Sequence, residues 1–207
     1  MPEVKQAIII AAGRGGRLGP WSKSNPKAML EVDGKCLLQH QLDHLQQAGI
    51  QDIVVTVAHM SAPIKQFLKT QANDFNIRLS DEGSDPIGIL PGIIRAQQYL
   101  NAEPFLLQSV DALFSESFQL DFSDNNLAKL YVYKSATPDF HVLDNKISFA
   151  AQAASHPVCY AGMGLYHPDF FADPAASFLA QIQSKAAHGL DAHLLKTQPR
   201  NINFMDF

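Results

Sequence analysis

Residues 4–30 read VKQAIIIAAGRGGRLGPWSKSNPKAML. The opening run, residues 4–11, is continuously apolar from Ala7 onward, with β-branched Ile8, Ile9 and Ile10, as in a strand buried on both faces. It breaks into Gly13, Gly15 and Gly16. Without a Cβ, these residues let the backbone approach a ligand closely and tolerate positive φ. Successive N–H groups of such a loop can converge on one anion. Arg14, Arg17, Lys23 and Lys27 supply charge for a triphosphate, arginine through paired oxygen contacts and lysine as a compact point charge. The spacing is not that of a Walker loop, because no GK[ST] follows. Nor does a helix open on the third glycine, since Pro20 and Pro26 keep the segment extended or turning. On composition alone, a glycine-rich turn with solvated arginines remains an alternative.

Outward from this stretch, residues 37–48 place Leu38, Leu42 and Leu45 at helical spacing, with Gly49 just past the end. Residues 52–58 read as a second buried strand. Ser61 is expected to cap a helix carrying Ile64, Phe67 and Leu68. A strand at 76–80 leads into a Gly/Asp/Pro loop, and Pro91 suits the first turn of a helix running to Leu100. A strand at 103–108 stops just before Asp111. This alternation predicts an α/β fold, a parallel sheet wound with helices on both faces. Ligands of such sheets bind beyond the carboxyl ends of the strands, where the glycine loop and Asp111 both fall. The remainder is richer in strands, at 127–133, 140–143, 146–149 and 158–167, with Asp144 and Asn145 as a tight turn. A helix at 175–188 and a terminal strand at 200–207 complete the reading. No repeat, low-complexity tract or linker interrupts the chain, so a single domain over 1–207 is expected.

A chain of 207 residues with 46% hydrophobic and 17% charged residues can bury a full core. Its net charge of -4 argues against a general nucleic-acid binder. No apolar run approaches the ~18 residues needed to cross a bilayer. The first residues lack a signal-peptide pattern, so no membrane association and a cytoplasmic location are the expectations. Cys36 and Cys159 belong to no metal-binding spacing and are expected as buried, reduced thiols. His40 and His44 have the i, i+4 spacing of helical metal ligands but lack the intervening glutamate of HExxH. Packed or exposed imidazoles are the better expectation there.

Ala11-Ala12-Gly13, then Gly15, Arg17-Leu18, Pro20, Ser22 and Pro26-Lys27 fall in register with AAGxGxRLxPxTxxxPK. In this the chain resembles the sugar-1-phosphate nucleotidyltransferases. It is most similar to the branch holding N-acetylmuramate-1-phosphate uridylyltransferases and mannose-1-phosphate guanylyltransferase-like proteins. The likeness continues through GKCLLQHQLDHLQQAGIQDIVV, the strand at 105–114, Phe140-His141-Val142-Leu143, residues 160–168 (YAGMGLYHP) and Phe204-Met205-Asp206. It covers nearly the whole chain.

The resemblance implies a Rossmann-like, GT-A type three-layer sandwich with a mainly parallel central sheet. Residues 1–111 would form a nucleotide-binding half and 112–207 a sugar-binding half. The implied reaction transfers a nucleoside monophosphate from an NTP, UTP favoured, to a sugar 1-phosphate, with loss of pyrophosphate. Arg17 and Lys27 would act on the phosphates, with Ala11, Ala12, Gly13, Gly15, Gly16, Glu82, Gly88 and Gly92 around the nucleotide. Gly164 would lie at the sugar, and Asp111 and Asp206 would hold Mg²⁺. The expected mechanism is in-line attack by the sugar phosphate, already an anion, so that alignment and charge neutralisation suffice without a general base.

Three departures from the pattern stand out. Ile89, Leu90 and Pro91 replace the Thr and small residues of an LGTAG-like segment, which predicts a bulky apolar wall near the base. Val110 stands where NGD has its Gly. The sequence closes one residue after Asp206, which predicts a loosely held second ligand. A silent nucleotide-binding homologue and a molybdopterin-type guanylyltransferase therefore stay open as alternatives.

Overall fold

The computed structural model describes residues 4–71, 73–115, 120–123, 126–151 and 155–201. In chain order the elements are β1 (Gln6–Ile10), β2 (Glu31–Val32), β3 (Lys35–Cys36), α1 (Leu37–Gln47), β4 (Asp52–Val57), α2 (Ser61–Lys69), β5 (Asn76–Asp81), α3 (Ile89–Gln97), β6 (Phe105–Ser109) and β7 (Ala112–Leu113). They continue with β8 (Ala128–Lys134), β9 (Phe140–Leu143), β10 (Lys146–Ser148), β11 (His156–Tyr166), α4 (Phe178–Ala186), β12 (Asp191–Leu194) and β13 (Arg200–Asn201). Short 3₁₀ turns occupy Gly16–Lys23, Lys27–Met29 and Pro168–Phe171.

The main sheet runs β5-β4-β1-β6-β11-β8-β12-β10-β9, and β9 also pairs back onto β11. Strands β5, β4, β1 and β6 are mutually parallel. Beyond them β11 is antiparallel to β6, β8 and β9, and only β8–β12 returns to parallel pairing. The sheet is therefore mixed. The mainly parallel sheet expected from the sequence holds for the first half alone, where helices cross between consecutive strands. The second half is joined by hairpins and one long strand instead, such as β9–β10 through Asp144 and Asn145, both at positive φ.

Successive residues of β1 face opposite sides. Ala7 and Ile9 join the cluster with Leu38, Leu42 and Leu45 of α1 and Ile64 and Leu68 of α2. Ile8 faces Leu90, Ile93 and Ala96 of α3, in the cluster that also takes Ile182 of α4. Helices thus cover both faces, as the continuous apolar runs require. Helix α1 ends in a hydrogen-bonded C-terminal turn, with Gly49 at φ 75 and Ile50 N donating to Leu45 O at 2.9 Å. At α2 the expected cap is displaced: Met60, left-handed at φ 55, holds the capping position, no side chain caps it, and Ser61 is the first helical residue. Ser177 does cap α4, accepting from Ala180 N at 3.2 Å. Cys36 is buried as expected, whereas Cys159 is only partly so, its thiol donating to Thr137 O at 3.1 Å.

Candidate active site

Parallel pairing sets Ile10 beside both Thr56 of β4 and Ser109 of β6. Thr56 lies in turn beside Ser80 of β5, so the ends of β1, β5 and β6 deliver the glycine loop, the segment after β5 and the Ser109–Asp111 turn to one edge. Thr56 is buried, and its Oγ1 accepts from Ala11 N at 3.1 Å and Ala12 N at 3.3 Å. Those two amides are spent on shaping the turn rather than aimed at a ligand. Their role is to launch Gly13 outward into the exposed loop.

Gly15, at φ 64, is required sterically. A Cβ there would lie 3.1 Å from Lys27 Cβ and 3.3 Å from Leu18 Cδ1. The following segment winds as 3₁₀ turns broken at Gly19, with Leu18 buried as its anchor. Ser22, at the family's Thr position, donates locally to Gly19 O at 2.9 Å. Pro26 is extended at ψ 139 and swings the chain back under the loop, so that Lys27 begins the next turn.

Lys27 is only 7% exposed, and its Nζ lies 2.5 Å from Asp111 Oδ2. Ser109 Oγ donates to the other carboxylate oxygen. Burial alone would push the Asp111 carboxyl upward, but the Lys27 ammonium and the Ser109 hydroxyl outweigh it and hold it below the ordinary carboxylate range. Above these groups is a cleft of about 260 Å³ lined by Gly13, Gly15, Gly16, Arg17, Lys27 and Asp111 among others. A second cavity of about 100 Å³ adjoins it, lined by Thr56, Glu82, Gly88, Ile89, Gly92 and Ile93 among others. The two share Ile10, Gly13 and Ile89.

Glu82 Oε2 accepts from Ile87 N at 2.9 Å, and partial burial pushes its carboxyl above the usual range. Its other oxygen fills the space over Gly92, where a Cβ would come within 2.6 Å of it. Gly88 precedes α3 at φ 104, so the chain can turn from that loop into the helix. Of the expected apolar wall, only Ile89, 57% exposed, faces the cavities; Leu90 turns into the core. Val110 belongs to the cluster that holds the leucines of α1 and also lines the larger cleft.

The match over residues 7–122 is to the MobA-like NTP transferase domain. The chain belongs to this family. An N-acetylmuramate alpha-1-phosphate uridylyltransferase of Neisseria meningitidis serogroup B is 30% identical over 189 residues, covering 86% of this chain and 81% of that protein. The mannose-1-phosphate guanyltransferase beta-B of Xenopus laevis is 30% identical over 117 residues, 55% of this chain and 32% of that one. The chain thus spans about a third of the guanyltransferase. The solved inositol-1-phosphate CTP transferase from T. maritima superposes with TM-score 0.74 at 18% identity, covering 93% of this chain and 86% of that one. A UDP-glucose pyrophosphorylase complexed with UDP-glucose gives 0.75 at 15% identity, over 95% and 92%. At these identities the likeness is one of fold.

Not every transferase position read from the sequence reaches the cleft. Gly164 sits inside β11, paired with Leu107 and Leu130, and the space a side chain would take is filled by the ring of Tyr166, 2.7 Å from an added Cβ. It packs against that ring and lines neither of these two cavities, whereas the sequence places it at the sugar. Gly162, two residues earlier at φ 82, comes closer to the site: its Cβ would meet Ala112 Cβ at 3.3 Å and Ser109 Cβ at 3.4 Å. Asp206 lies outside the described residues, and β13 pairs with β7 so that Asn201 sits opposite Ala112. The histidines have structural partners. His40 Nε2 meets Val32 O at 2.8 Å, and His44 Nδ1 meets Gln108 Oε1 at 3.2 Å.

One residue was missed altogether. Gln41 of α1, 1% exposed, donates through Nε2 to Val110 O at 3.2 Å and Ala112 O at 3.0 Å, the carbonyls on either side of Asp111. Its Oε1 is buried without a partner among the described residues. Two such bonds contribute about 1 kcal/mol each, while a buried unsatisfied acceptor costs about 1–3 kcal/mol. The net stabilisation is near zero, so stability does not account for this amide.

Proposed function

We propose that the protein is a sugar-1-phosphate nucleotidyltransferase that transfers a nucleoside monophosphate, UMP by preference, from the triphosphate to a sugar 1-phosphate. The observation that carries this is the Lys27–Asp111 pair at 2.5 Å on the floor of the glycine-loop cleft. A buried cation beside an exposed Gly13–Arg17 loop is an arrangement for drawing in an anion and neutralising the charge it gathers in reaction. The uridylyltransferase that is 30% identical across most of the chain supports the reaction class.

Gly13, Gly15 and Gly16 take the triphosphate backbone to backbone, with Arg17 at the cleft wall. Lys27 lies against the α-phosphate and offsets charge on the phosphorus as the sugar-phosphate oxygen attacks and pyrophosphate departs. No proton has to be removed from the nucleophile, so positioning carries the rate. The adjoining cavity of about 100 Å³ suits a one-ring base, with the Glu82 carboxylate as an acceptor for a ring N–H. That is the support for UTP. The nucleotide would then belong to residues 1–111 and the sugar to residues 112–207.

Asp111 fits a hard divalent ion, because its carboxylate already accepts a cation from Lys27 on the cleft side. Mg²⁺ favours one or two carboxylates completed by phosphate oxygens and water. Asp111 would hold it, together with Asp206. When bound, the ion would neutralise the triphosphate.

The deciding experiment incubates the protein with Mg²⁺, each NTP and a panel of acceptors, sugar 1-phosphates and a phosphorylated pterin, while following pyrophosphate. Release dependent on UTP and a sugar phosphate is expected. Tight nucleotide binding with no release from any pair would instead mark a silent homologue. Release with GTP and a pterin acceptor alone would mark a guanylyltransferase.

A further inference from the structure

Beneath the cleft, a short chain of polar side chains runs through a leucine-rich core. Gln41 grips the carbonyls of Val110 and Ala112. Its own backbone carbonyl accepts from Gln108 Nε2 at 3.4 Å, and Gln108 Oε1 meets His44 Nδ1 at 3.2 Å. His44 in turn stacks on Phe114, just past β7, with ring centroids 5.8 Å apart. Gln41 and Gln108 are both essentially without solvent contact.

Position 41 lies three residues after Leu38 and four before Leu45, on the face of α1 that packs the core. A leucine would satisfy the helix there. An amide NH₂ carries two donors without a charge and so serves two carbonyls at once, which fixes the end of the side chain that points at the turn. The Val110 carbonyl belongs to the peptide unit that enters Asp111, and the Ala112 carbonyl to the next unit but one, so the amide spans the turn that carries Asp111. Holding both fixes the entry to Asp111 and the distance across the turn from Val110 to Ala112, which limits the backbone rotations open to Asp111 and hence the direction in which its Cβ leaves the chain. Val110 N donates to Ile10 O at 3.1 Å, which ties the same turn to the strand bearing the glycine loop.

We propose that Gln41 is a positioning residue for Asp111. Through the Val110 and Ala112 carbonyls it aims the carboxylate that receives the divalent ion, although it touches neither ion nor substrate. The inference rests on the reading of Asp111 as a metal ligand given above. Groups that orient metal ligands from behind typically alter metal affinity about 10–100-fold when removed.

The probe is Mn²⁺ with UTP and no sugar phosphate, titrated by electron paramagnetic resonance. Gln41→Met keeps the length of the side chain and removes both donors. Its Mn²⁺ affinity is expected to fall about tenfold, with wild-type melting temperature and unchanged UTP affinity in the absence of divalent ions. Gln41→Glu, acceptor-only when ionised, should lose at least as much. Asp111→Asn is measured in parallel. If it binds Mn²⁺ as tightly as wild type, the metal reading of Asp111 is overturned, and Gln41 with it. If Asp111→Asn loses affinity while both Gln41 variants keep theirs, the positioning proposal alone is overturned. A lowered melting temperature with unchanged Mn²⁺ affinity would likewise reduce Gln41 to a packing residue. Should Gln41→Met not fold, Gln41→Asn keeps the amide one methylene too short to span both carbonyls and takes the same measurement.

Discussion

The Lys27 ammonium and the Asp111 carboxylate stand 2.5 Å apart, both largely withdrawn from water, and the ammonium holds the carboxyl below its ordinary range against the cost of burial. Lys27 and Lys23 lie four residues apart, yet Lys23 is exposed beside the loop rather than under it. Lys27→Ala should therefore cut turnover by at least about a hundredfold, as expected for loss of a charge at the reacting phosphate. Lys23→Ala should cost little; equal losses in steady-state kcat would remove Lys27 from its assigned role. Glycines divide in a similar way. At Gly13 an added Cβ meets nothing within 4 Å and the backbone is not left-handed, so Gly13→Ala should fold with an unchanged melting temperature. Its methyl group would nonetheless stand in the phosphate path and weaken nucleotide binding in calorimetry. Gly164→Ala is the converse. The Tyr166 ring it would strike is boxed in by Phe105, Phe170 and Phe171, so an overpacking loss of about 1–3 kcal/mol is expected in urea unfolding. A stable Gly164→Ala protein with poor sugar binding would restore that residue to the site.

Among elements, β4 both pairs with β1 and supplies the acceptor that shapes the turn after it. Thr56→Val keeps the side-chain shape but strands the Ala11 and Ala12 amides, which at about 1–3 kcal/mol per buried orphan predicts a loss of about 2–6 kcal/mol. A shift of less than 1 kcal/mol in urea unfolding would mean that the amides find another acceptor. The first half of the molecule was legible because each element there announces itself locally. Leucines at helical spacing gave α1, and runs of Ile and Val gave β1 and β4. In the second half β8 to β11, the Asp144–Asn145 turn and α4 were legible in the same way, but the order and direction in which the strands pair were not, because no local pattern encodes them. The strand β12 reads DAHL, with His193 and Leu194 exposed, and exists because it lies along β8. Strand β11 serves three neighbours along its length, which turns the sheet antiparallel. Within the site, charged and glycine positions were readable from chemistry and spacing. Gln41 was not, since a polar residue in an amphipathic helix is ordinarily assigned to water. Its place between Leu38 and Leu45 was the available signal. Ser61 failed for a related reason: a capping oxygen must come from the residue before the first turn, and here that residue is Met60.

For the molecule as a whole, the site and its underlying polar chain should set the acid limit of stability. Burial pushes the His44 imidazole below its ordinary value of 6.5, with the Gln108 contact opposing only in part. The unfolded chain takes up a proton near 6.5 that the native protein refuses. This contribution is accordingly complete above 6.5 and lost as pH falls from there through the lower folded value. Asp111 acts further down. Its folded carboxyl lies below the ordinary 3.8, so its stabilisation is complete above that value and disappears as pH drops through the depressed one. The urea midpoint, followed from pH 8 to pH 3, should decline in two stages, the first beginning just below neutrality. His44→Gln, which cannot titrate, should flatten the first stage and leave the second intact; an unchanged first stage would place the responsible proton elsewhere. Because His44 connects through Gln108 and Gln41 to the turn that carries Asp111, the same protonation should loosen the carboxylate before the fold fails. Mn²⁺ affinity should then weaken at a higher pH than global unfolding in wild type, and the two should draw together in His44→Gln.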